Sequence, residues 1–144
     1  MARTYILSFP EFRRLHARAY RAQQRDHSEV CSVVVVKNTS AHSLELKFLK
    51  NVSDHAGSFE LEDRDIRAAR AAAQSESKRL IGYFHSHPVG YATLGPRDRR
   101  STPVNRVHLV YDVCSREPKL WRMYKRRGRR VVKGLPLLVQ RSKG

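Results

Sequence analysis

The sequence predicts an α/β (more strictly α+β) fold, a mixed β-sheet flanked by two main helices in a single domain spanning residues 1–144. Three observations point to it. Val30 to Lys37 is apolar and β-branched throughout, as a central strand covered on both faces must be. Phe12, Leu15, Ala19 and Tyr20 recur at helical spacing with arginines between them, and an alanine-rich segment from Glu62 to Lys78 follows. Several further segments alternate apolar and polar residues with a period of two.

In chain order, Thr4 to Ser8 reads as a first strand. Ser8 then caps a helix running through Arg25, with Pro10 near the first helical position and Glu11 completing a capping box. The central strand comes next. Asn38 to Ser43 reads as a polar hairpin connection, and Leu44 to Leu49 as a half-buried strand. Asn51 to Gly57 is a loop and Ser58 to Leu61 a short strand. The second helix carries Glu62, Asp63 and Asp65 in its first turn, where the helix dipole favours negative charge. Leu80 to Phe84 is an apolar, aromatic-rich strand closed by Pro88. Arg99 to Asn105 reads as a loop ended by Pro103, and Arg106 to Val113 as an alternating strand. Lys119 to Tyr124 and Arg129 to Val132 form a hairpin turning at Arg127-Gly128, and Leu135 to Val139 adds a last strand.

Composition narrows the classes of function. No apolar run approaches the roughly 20 residues that cross a bilayer, and the N-terminal apolar run is too short for a secretory signal. A cytoplasmic location is therefore expected, with no membrane partner. Cys31 and Cys114 lack the spacing of a structural zinc site and read as buried, reduced thiols. The net charge is +16, from 29 Lys and Arg against 13 Asp and Glu. Such a field favours acidic partners. In the last third, basic residues from Arg116 to Lys133 surround Trp121 and Tyr124. That arrangement suits nucleic acid or an acidic protein surface, and equally a solvated hairpin.

The chemistry concentrates at Gly82-Tyr83-Phe84-His85-Ser86-His87-Pro88, with ten residues between His87 and Asp98. On a strand, His85 and His87 point to one face and Ser86 to the other. Two imidazoles and a nearby carboxylate make a three-ligand set for a divalent metal with a fourth position left for water. The plainer alternative is two edge-strand polars and a helix-capping aspartate.

These residues resemble the signature of the JAB/MPN (JAMM) metalloproteases: an upstream Glu, then H-S-H-P, six residues, a Ser, two residues and an Asp. Here it stands as Glu29, His85-Ser86-His87-Pro88, Val89 to Leu94, Gly95, Pro96-Arg97 and Asp98. The resemblance implies one zinc ion held by His85, His87 and Asp98, with Glu29 as general acid/base. Gly95 stands where the family has its serine, an oxyanion donor. Thr93, Ser101 or backbone N–H groups are the candidate substitutes. Ser86 either steadies a ligand by hydrogen bonding or simply packs. The resemblance further implies a compact prokaryotic-type member that hydrolyses a peptide or isopeptide bond at the tail of a ubiquitin-like or sulfur-carrier protein. Val89, Tyr91 and Leu94 then either shape the groove for that tail or pack the loop. The rival reading is a catalytically weak or inactive scaffold, which the glycine favours and the intact Glu/His/His/Asp set opposes.

Overall fold

The computed structural model describes residues 3–53, 59–87 and 103–142. Strands β1 (Tyr5–Leu7), β2 (Cys31–Lys37), β3 (Ser40–Leu49), β4 (Lys78–His87), β5 (Val107–Asp112), β6 (Glu117–Arg126), β7 (Arg129–Leu135) and β8 (Leu137–Val139) join in one mixed sheet. Their order is β7-β6-β5-β4-β2-β3-β1-β8. Helix α1 (Phe9–Asp26) packs on one face and α2 (Asp63–Ser75) on the other. The sheet curls around α1, so that Arg122 of β6 donates to the Tyr5 hydroxyl of β1 at 2.6 Å.

The Val-rich segment is the central strand, buried from Cys31 to Val36. Val34 and Val36 join the α1-side core with Phe84, Leu109 and Tyr111. Val33 and Val35 join the α2-side core with Ala73 and Leu80. Ser8 caps α1 as expected. The capping box, however, is not closed by Glu11. Its carboxylate takes the Leu46 N–H at 3.1 Å and the Arg14 guanidinium at 2.9 Å, tying the helix to β3 instead. Leu15, Ala19 and Ala22 form the buried stripe, while Tyr20 lies 47% exposed at the helix flank. The β6–β7 hairpin turns at Arg127 and Gly128, both with positive φ, as a two-residue turn between twisted strands requires.

Several expectations need correction. The β2–β3 turn is only Asn38-Thr39, since Lys37 and Ser40 already pair. Residues 59–61 form no strand; their backbone is held by Asn51 and Val52 across the loop. Helix α2 stops at Ser75, because Ser77 adopts a left-handed conformation and Lys78 begins β4. Cys114 is exposed, since β5 ends at Asp112 and the thiol sits in the following turn. The strand-facing polar positions of β5 are also buried, His108 and Asp112 included.

One irregularity positions the site. β2 pairs antiparallel with β4, and the register shifts between Val34, opposite Gly82, and Val35, opposite Leu80. Ile81 is thus an extra residue, and a bulge of this kind reverses which side chains face which way beyond it. Leu80 and Tyr83 consequently both join the α2-side core, while Ile81 and Phe84 join the other. Beside the bulge, β4 runs against β5 so closely that a Cβ on Gly82 would lie 1.9 Å from the Val107 carbonyl oxygen.

Gly82→Ala should therefore destabilise the fold by about 3 kcal/mol, the upper end for overpacking, because backbone cannot step aside as a side chain can. Denaturant unfolding measures this, and an unchanged midpoint would show that β4 and β5 separate at no cost. Burial, with help from the Glu29 charge, pushes the Cys31 thiol up from 9.0 to about 12. A raised folded pKa favours the protonated form, so this stabilisation is complete below about pH 9 and is lost as the pH rises through about 12. Native alkylation at mild alkaline pH should then place one adduct on Cys114 and spare Cys31 until the protein is denatured, read by mass spectrometry.

Candidate metal centre

The site forms where β4 ends between β2 and β5. His85 lies opposite Cys31 on one side and Val110 on the other, and His87 opposite Asp112. Because the strand alternates, both imidazoles stand on the α2 face, and their Nε2 atoms approach to 2.8 Å. Two ring nitrogens this close cannot both carry protons toward each other.

His85 is fully buried, and its other nitrogen is engaged: Nδ1 lies 2.7 Å from Nε2 of His108, itself 1% exposed. Phe59 stacks on the His85 ring at 4.5 Å between centroids and meets His108 edge-on. The three imidazoles are a chain rather than a ring of convergent donors, with His85 in the middle. His108 was missed in the sequence because it reads as an ordinary polar position of an alternating strand. Its register opposite Tyr83, two residues before His85, is the only signal that could have found it.

Ser86, on the opposite face, forms a clamp with the start of β2. Its N–H donates to the Val30 carbonyl at 2.9 Å, and its hydroxyl accepts from the Val30 N–H at 2.9 Å. This ties β2 to β4 one residue beyond the Cys31–His85 pair, just after Glu29. Glu29 is 6% exposed, and Asn51 donates to its backbone carbonyl at 2.9 Å. Glu29 also lines a cavity of about 470 Å³ between α1, the end of β3 and the 50–53 segment.

Asp98, Gly95, Thr93, Ser101, Val89, Tyr91 and Leu94 lie outside the described residues. Among the described residues, no group of three or more His, Cys, Asp and Glu side chains is arranged to hold a metal ion. Asp112, beside His87 in register, is committed to the following turn, accepting from the Cys114 N–H and the Ser115 hydroxyl. The donors that are described nonetheless fit a borderline divalent ion: two imidazole Nε2 atoms converge at the open end of a strand. The Nδ1 contact of His85 with His108 leaves Nε2 as its outward nitrogen. Among the described residues no helix is long and apolar enough to cross a membrane.

Known structures share this architecture. A protein from Desulfitobacterium hafniense, solved in solution, superposes with a TM-score of 0.78 at 17% identity, covering 96% of this chain and 94% of that one. A JAB1/MPN domain protein from Archaeoglobus fulgidus gives 0.54 at 16% identity, covering 94% and 98%. At such identities the likeness concerns the fold. No curated protein matches the chain. The model for prokaryotic homologues of the JAB domain matches residues 12–124, a span reaching from the first turn of α1 into β6. The chain belongs to the JAB/MPN family, in its prokaryotic branch.

Proposed function

We propose that the protein is a zinc-dependent metallopeptidase of the JAMM type. It hydrolyses a peptide or isopeptide bond at the C-terminal tail of a ubiquitin-like or sulfur-carrier protein. The observation that supports this reading is the approach of the His85 and His87 Nε2 atoms at the end of β4, with Glu29 buried just ahead of β2, the strand that pairs with β4.

In this reading His85, His87 and Asp98 hold the ion. Zinc so bound supplies an acidified water and a Lewis acid for the scissile carbonyl. Glu29 acts at its carboxylate oxygens, accepting a proton from the attacking water and delivering one to the leaving amine nitrogen. Glu29 is buried at the entry to β2, next to the Val30–Ser86 bonds. His108 is a positioning residue. By engaging Nδ1 of His85 it fixes the tautomer and the ring plane, and Phe59 stacked on the ring limits its rotation.

One residue favours a second reading, a scaffold of little activity: Gly95 brings no hydroxyl to the place where the family has its oxyanion donor. Loss of one such donor costs about 10²–10³ in turnover. Metal content and activity separate the two readings.

Purified protein should carry zinc near one ion per chain, and both His87→Ala and Asp98→Ala should lose it, as read by atomic emission. Failure to retain zinc after supply and desalting would refute the peptidase reading. Glu29→Gln should keep the zinc yet lose about 10²–10⁴ in turnover on a cleavable tail fusion, as a general acid/base does. Zinc with no turnover in the parent protein would favour the scaffold. His108→Ala should weaken zinc affinity about 10- to 100-fold in chelator competition, with partial recovery in His108→Gln, whose side chain still offers a partner to Nδ1.

A further inference from the structure

The strongest feature outside the metal centre is the flank of α1. Arg14, Arg18, Arg21 and Arg25 fall at spacings of four, three and four, forming one stripe about 16 Å long. All four are exposed. Arg14 is paired with Glu11 and Arg25 with Asp26, but among the described residues no carboxylate pairs with Arg18 or Arg21. One shallow depression of about 530 Å³ runs over Arg14, Arg18 and Arg21 on the outer side of the helix. The cavity that contains Glu29 takes in Arg18 and Arg25, together with Lys50 from the opposite wall. Arg18 belongs to both, so a basic track leads along α1 into the space beside Glu29.

The guanidinium groups are also held in position. The Arg18 and Arg14 guanidinium carbons lie over the Phe48 ring, 4.3 Å and 5.6 Å from its centroid. Stacking of this kind fixes the plane of the guanidinium and directs its N–H fork away from the ring, the geometry that grips a carboxylate with two hydrogen bonds.

We propose that this track binds an acidic stretch of polypeptide. One observation favours it over nucleic acid. The aromatic face available in the groove, Phe48, is already covered by two arginines and leaves no platform for a base. The assignment of the occupant as part of a substrate rests on the peptidase reading above; the binding itself does not.

The test is therefore made on the full chain without metal. A short fluorescein-labelled polyglutamate peptide, its polyglutamine analogue and an oligothymidylate of similar length are titrated at near-physiological salt, with anisotropy as the readout. The polyglutamate should bind, the polyglutamine should not, and affinity should fall as salt rises. Arg18→Glu and Arg21→Glu should each weaken binding about tenfold or more. Arg129→Glu, an equal charge change on the distant β6–β7 hairpin, should leave it within about twofold. Equal losses in all three variants would reduce the effect to net charge and overturn the groove. Tighter, Arg18-dependent binding of the oligothymidylate would overturn the polypeptide assignment. Peptide binding in a protein that never retains zinc would uphold the groove while removing the peptidase reading.

Discussion

A single extra residue in β4 decides which face of the sheet carries the chemistry. Had Leu80 to His87 continued in strict alternation, the side of the strand that packs Leu80 against α2 would have received Gly82, Phe84 and Ser86. His85 and His87 would then have entered the apolar core around α1. The bulge at Ile81 reverses this. Phe84 goes to the α1 core, Ser86 clamps the start of β2, and the imidazoles face Phe59 and His108. Gly82 makes the bulge compatible with the close parallel approach of β5, which in turn supplies His108. Bulge, glycine and histidine chain form one construction, in which each part depends on the register set by the others.

The two helices then play unequal parts. Helix α2 contributes small residues, Ala69 and Ala73, which let it lie close over Val33 and Val35. Helix α1 buries a narrow stripe and leaves its arginine flank beside the mouth of the Glu29 cavity. The Glu11 carboxylate, shared between Arg14 of its own helix and the Leu46 N–H, fastens α1 to β3. Two residues further along β3, Phe48 carries the Arg14 and Arg18 contacts, so the same strand anchors the helix and its arginines.

Much of this was legible in the residues. The unbroken β-branched run of β2, the Ser8 cap, the Arg127-Gly128 turn and the shared face of His85 and His87 follow from local rules that tertiary structure did not override. What stayed hidden has a common cause: each feature depends on a partner distant in sequence. The capping box failed because Leu46 competes for Glu11. His108 is an unremarkable polar position until β5 is placed beside β4. Cys114 looks like a strand residue until β5 is seen to end two positions earlier. The role of Ser86 was open between packing and support. Its hydroxyl accepts from the Val30 N–H at the β2 entry, a contact that only the pairing of β2 with β4 reveals.

The sheet's far edge has a kinetic consequence. β8 lies parallel to β1, and Gln140 reaches the Phe9 N–H across 131 positions of sequence. Closing so long a loop costs entropy before any contact there repays it. The hairpins β2–β3 and β6–β7 close locally and need not wait for that event. The edge made by β1 and β8 is thus expected to assemble last on folding and to open first under stress. Since Glu29, His85 and His108 depend on strands in the middle of the sheet, such fraying would begin at the margin farthest in strand order from β5 and leave the histidine chain in place.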